Sequence, residues 1–164
     1  MKKINFNDYF FMGLFLIGLA FYFFTPILFT PKSALLERTG KVEKIKIDYN
    51  WVKAYRGGTS VRCELKIFLE RDKNKYSIFE NIGQSTFHSK FEKIKSKLRP
   101  NQLAKIWIRK SEKSSSEPNI FQIANEEDEI LYDIKDAKSL SKFGFIGAFG
   151  LGFIFILLSF KKKN

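Results

Sequence analysis

Few residues in this chain could carry chemistry, and those few lack the company that chemistry needs. His88 is the only histidine and Cys63 the only cysteine. A general base or a metal site requires partners, and nothing near His88 in sequence supplies a ligand set. Next to Ser89 it reads as a loop or helix-start residue. A lone cysteine forms neither an intramolecular disulfide nor a zinc cluster. Cys63 falls on the apolar side of an alternating segment, where a small hydrophobe is ordinary; a reactive thiol would need exposure and a cationic neighbour. Gly57-Gly58 lacks the strand–loop–helix setting of a phosphate-binding loop. The run Glu126-Glu127-Asp128-Glu129 has neither the alternate spacing nor the glycine of a calcium loop. The expectation is no catalytic residue, no metal and no cofactor. The alternative is a membrane-bound hydrolase or redox accessory whose site is not recognised.

Charge is more informative than chemistry. The 164 residues carry 29 Lys plus Arg against 17 Asp plus Glu, a formal net charge of +12. Residues 90–113 hold nine Lys or Arg against Glu92 and Glu112, whereas 117–136 hold seven acids against Lys135. Such blocks can pair with each other or offer a basic face to anionic lipid or an acidic partner. Lys90, Lys93 and Lys97 recur at helical spacing and are the candidate lipid- or partner-binding residues. Tyr49, Trp51 and Trp107 lie among basic residues, a pattern loosely like a nucleic-acid stacking surface. Core packing on strands accounts for them better, and no nucleic-acid partner is expected.

The elements that must position these residues fall into three parts. Tyr9–Pro31 is 23 residues without a charge. As a helix it would span about 34 Å, enough for a hydrocarbon core of about 30 Å. Phe143–Phe160 is a second uncharged run, of 18 residues, near the lower limit for a span. Backbone groups in lipid must bond internally, so both read as helices; Pro26 should bend or fray the first. A cleaved signal peptide is the rival for the first run, with Gly18-Leu19-Ala20 as the cleavage site. The apolar stretch runs on through Phe21–Phe24, too far for a signal core of about 7–15 residues. On the second span Gly144, Ala148 and Gly152 make a small-residue face for helix packing, against Gly13 or Gly18 of the first span or against a second copy.

Between the spans, residues 32–142 form one domain by size. Val61, Cys63, Leu65, Ile67 and Leu69 alternate with Arg62, Glu64, Lys66, Phe68 and Glu70, the pattern of a half-buried antiparallel strand. Ile45, Ile47, Tyr49 and Trp51 repeat it one strand earlier, and Gly57-Gly58 turns between them. Tyr76–Phe79, Leu103–Arg109 and Ile120–Ala124 are further strands. Glu129–Ile134 is either a last strand or the start of the second span. Lys110–Asn119, rich in Ser and Lys, reads as a flexible connection. Ser89-Lys90-Phe91-Glu92 fits a capping box with Ser89 as N-cap, opening a helix whose Phe91, Ile94 and Leu98 face inward and which Arg99-Pro100 closes.

Three features carry a resemblance. They are Thr39-Gly40-Lys41-Val42 leading into the first strand, the paired strands around Gly57-Gly58, and the Pro100-Asn101-Gln102 turn before Leu103–Ile108. Together with the layout, they resemble a group of small bacterial membrane proteins of unknown function with a β-rich segment between two terminal spans. The chain departs from that group where Trp107-Ile108-Arg109-Lys110 stands in place of a Tyr-Asp-Pro-like turn. The resemblance implies an architecture and no reaction.

The expected molecule is an α+β membrane protein. Two transmembrane helices, 9–31 and 143–160, flank a small, mostly antiparallel β domain, a barrel or sandwich, with one short helix. The tails 1–8 and 161–164 are basic, which places them in the cytoplasm by the positive-inside rule and the domain outside the inner membrane. The expected function is a non-enzymatic, membrane-anchored binding module. Its partners would be the lipid surface and an envelope protein, with a homo-oligomer as a further option. A specific version is an immunity-type protein against an envelope-acting toxin.

Overall fold

A computed structural model describes residues 6–53, 57–85 and 87–161. Lys2, Lys3, Lys162 and Lys163, on which the orientation argument leans, lie outside the described residues. The chain divides into two compact units, one of the two terminal helices and one of residues 31–134.

In the β unit, the alternation read from the sequence is realised. Strand β2 (Thr59–Leu69) buries Val61, Cys63, Leu65, Ile67 and Leu69 and leaves the intervening residues toward solvent. It pairs antiparallel with β1 (Leu35–Lys53) on one side and β3 (Lys75–Asn81) on the other. Strands β4 (Leu103–Arg109), β5 (Ile120–Ala124) and the short β6 (Ile130–Tyr132) complete one six-stranded sheet in the order β3-β2-β1-β4-β5-β6.

Strand β1 is much longer than its periodicity indicates. Leu35–Lys41 pairs with β4, and Val42–Lys53 pairs with β2, so one strand serves both halves of the sheet. A bulge between Val42 and Lys44 divides the two segments. An extra residue in a period-two pattern reverses which side chains face inward. Arg38, Gly40 and Val42 therefore share the core face with their partners Ile106 and Ala104, while beyond the bulge Ile45, Ile47 and Tyr49 take it over. This phase change, and a charged residue at an inward position, hid the first half of the strand. Gly40 gives a close approach there: a Cβ would lie 3.2 Å from Leu69 Cβ.

The expected barrel or sandwich is not formed, because the sheet does not close. Strand β3 meets the chain ahead of β5 through one parallel bridge, Ser77 to Asn119, with Lys75 and Ser77 N–H donating to the Ser116 and Pro118 carbonyls. The same bonds tie the Lys110–Asn119 connection to β3. The segment opens with a 3₁₀ turn, the Glu112 carboxylate accepts from Asn119 N–H at 2.6 Å, and Lys75 pairs with Glu117. Helix α2 (Ser89–Lys97) packs on β1 and β6, burying Phe91, Ile94 and, just beyond its end, Leu98.

The second unit comprises α1 (Phe6–Leu28) and α3 (Ile134–Lys161), both long and apolar enough to cross a membrane. Helix α1 continues past Pro26 but stops at Leu28, short of the uncharged run's end. Helix α3 begins nine residues before its uncharged run. Its first turns are amphiphilic, and Lys138 Nζ donates to the Thr30 carbonyl at 2.8 Å, satisfying an acceptor beyond the α1 C-terminus. The ambiguous 129–134 segment resolves into both alternatives, β6 and then, after Asp133, the start of α3.

Candidate functional site

Helix α2 starts one residue earlier than the capping box implies, and its cap is His88 rather than Ser89. The His88 backbone is extended, and its Nδ1 accepts from Phe91 N–H at 3.3 Å. The imidazole lies flat against the Phe91 ring, centroids 4.1 Å apart. With Nδ1 accepting, the proton of the neutral ring is on Nε2, which faces Glu80 Oε2 at 2.9 Å. Glu80 comes from β3. Tyr49, on β1, accepts from His88 N–H and donates to Glu92 Oε1, both at 3.3 Å. Cys63 is the cross-strand partner of Tyr49.

The structure thus gives His88 the companions that local sequence does not, from strands tens of residues away. Both ring nitrogens are engaged, so His88 has no lone pair for a substrate or metal in this state. Cys63 is fully buried, and burial pushes its thiol up to about 11, the opposite of nucleophile activation. Burial likewise raises Tyr49. Among the described residues no group of three His, Cys, Asp or Glu is placed to hold a metal.

The basic residues of α2 have a different setting. Lys90, Lys93 and Lys97 all line a groove of about 210 Å³ whose other wall is Glu129, Ile130 and Leu131 at the start of β6. Lys97 pairs with Glu129; Lys90 lies 3.7 Å from Glu80 and 5.0 Å over the Tyr132 ring. Ile130 is 49% exposed, an apolar surface among ammonium groups. A smaller cavity of about 100 Å³, lined by Lys97, Gln102, Asn125, Glu126 and Glu127, adjoins through Lys97.

A second surface lies at the far end of the β1–β2 hairpin. Trp51 was expected in the core and keeps its inward phase opposite Val61, yet it is 60% exposed. Val52 and Phe79 are exposed on the opposite, outer face, where the Arg62 guanidinium sits 4.2 Å over the Phe79 ring, and Phe87 is exposed in the loop ahead of α2. No periodicity could reveal this, because it depends on where the covering layer ends. Of the other tryptophan, Trp107 is half-buried on β4.

In the helical unit, a Cβ at Gly152 would lie 2.8 Å from the Gly13 carbonyl oxygen, and one at Gly13 2.6 Å from that of Gly152. Gly144 lies against the Phe24 ring, and Ala148, between them, is half-buried. The small-residue face of α3 therefore lies on α1.

No protein-family model, curated protein or solved structure matches the chain.

Proposed function

We propose that the protein is a non-enzymatic binding module anchored by two membrane-spanning helices, whose β domain recognises a protein of the envelope. The observation that carries this reading is the exposure of two large aromatics near the end of the β1–β2 hairpin, Trp51 on the inward face and Phe79, beneath the Arg62 guanidinium, on the outer face. Large aromatics beside an arginine are the commonest anchors of protein interfaces. The strand path supports the same location. Five strands follow the order β1-β2-β3-β5-β4 of an OB-type Greek key left open between β3 and β5, and such folds bind ligands on the β2–β3 face and the β1–β2 loop. That is an analogy of fold, and the two exposed aromatics are the independent argument.

The domain faces away from the cytoplasm in this proposal, and an immunity-type role against an envelope-acting toxin is its most specific form. A photo-crosslinking residue in place of Val52 should capture one discrete protein in living cells. Adding Trp51→Ala should abolish the adduct without changing the melting temperature, since Trp51 contributes little to the core. Capture that is unaffected by Trp51→Ala would remove this surface from recognition.

A further inference from the structure

We propose that the groove between α2 and β6 binds the headgroup of one anionic phospholipid. The inference rests on the membrane anchoring proposed above but not on the protein partner. Three lysines from successive turns of α2 converge on one concavity. Two of them are partly compensated, Lys97 by Glu129 and Lys90 by Glu80. Lys93 makes no ion pair among the described residues, so its charge is uncompensated where it lines the groove. The Glu129 carboxylate also lines it and opposes an anion, but it is held by Lys97, leaving an excess of positive charge.

Size and polarity narrow the occupant. About 210 Å³ is below the range of roughly 300–1,000 Å³ that encloses drug-sized ligands; it fits a headgroup and not a whole lipid. Exposed Ile130 beside the ammonium groups suits an amphiphile whose phosphate meets the lysines while its glycerol and first methylenes cover the isoleucine. Free phosphate would leave that apolar surface wet. The chain itself points to a lipid source: β6 is joined to the apolar helix α3 by Asp133 alone. The lysines therefore line a walled groove rather than a diffuse basic face.

The test uses the full chain in a nonionic detergent, titrated with dioctanoyl phosphatidylglycerol, dioctanoyl phosphatidylcholine or inorganic phosphate and read by native mass spectrometry. Phosphatidylglycerol should saturate at one per chain and bind at least about 25-fold tighter than phosphatidylcholine, as expected when two lysines each contribute about five-fold. Lys93→Gln, which breaks no ion pair, should weaken it about five-fold, and Ile130→Ser should weaken it several-fold, with unchanged melting. Phosphate at the same concentration should not displace it. Equal binding of the two lipids, no effect of Lys93→Gln, or displacement by phosphate would each overturn the proposal. Alkaline extraction of membranes tests the anchoring separately: release of the chain would refute anchoring and leave the groove's lipid preference standing on its own.

Discussion

Asp48 and Lys66 show how much one side-chain cluster can determine on an otherwise solvated face. Lys66 on β2 lies 2.8 Å from Asp48 and 3.1 Å from Glu64, and Lys46 lies 2.7 Å from Asp48. The bonds from Lys46 and then Lys66 hold the Asp48 carboxyl below its usual range, and the bond to Asp48 raises Lys66. A depressed carboxylate stabilises the fold above its unfolded value, near pH 4, and loses that contribution as pH falls through the folded value. A raised lysine stabilises below its unfolded value, near pH 10.4, and loses the contribution as pH rises through the folded one. Asp48→Asn should therefore lower stability by about 1 kcal/mol near neutrality. Chemical denaturation at pH 7 and at pH 3 should show that difference shrinking at the acid end. Cys63 gives a second expectation at this scale. Fully buried and raised, it should resist a thiol reagent at neutral pH until the domain unfolds, and labelling that tracks denaturant unfolding would establish this.

At the scale of elements, the ends of α2 and the contact between α1 and α3 are the sensitive points. His88→Ala removes the acceptor for Phe91 N–H and should cost about 1 kcal/mol, whereas His88→Asn keeps a capping acceptor and should recover most of it. Equal losses for Ala and Asn would shift the weight from the cap to the Glu80 bond. Between the spans, Gly152→Leu would drive a side chain into the Gly13 backbone and force the helices apart. Gly147 has open space around its Cβ position, so Gly147→Ala is the matched control. Disulfide crosslinking between cysteines placed at Phe21 and Phe145, whose rings lie 5.3 Å apart across the contact, should fall for the former and persist for the latter.

For the whole molecule, orientation decides which compartment holds the partner. In the proposed two-span arrangement the short basic tails favour a cytoplasmic location for both ends, because a long loop translocates largely regardless of its own charge. Ser114 is exposed on the segment ahead of β5. In a Cys63→Ser background, Ser114→Cys should react in intact cells with a thiol reagent that cannot cross the inner membrane. Reaction only after the membrane is broken would put the domain in the cytoplasm and move the partner there.

What could be read along the chain was whatever depends on neighbours in sequence. Uncharged runs marked α1 and α3, strict alternation marked β2, and the 3-4-7 spacing of Phe91, Ile94 and Leu98 marked the buried stripe of α2, because each pattern is imposed by local geometry on one solvent boundary. Even the lysines that line the groove were visible as one helical face. The rest needed partners brought from a distance. The bulge after Val42 reversed the phase of β1, so its first half resembled no strand. Glu80 and Tyr49 reach His88 only through strand register, which turned an apparently isolated histidine into a fully bonded cap. Ile130 became the wall of a basic groove because β6 packs beside α2, 36 residues after Ile94. Trp51 kept its inward phase but not its burial, since phase is set by the strand and burial by whatever covers it.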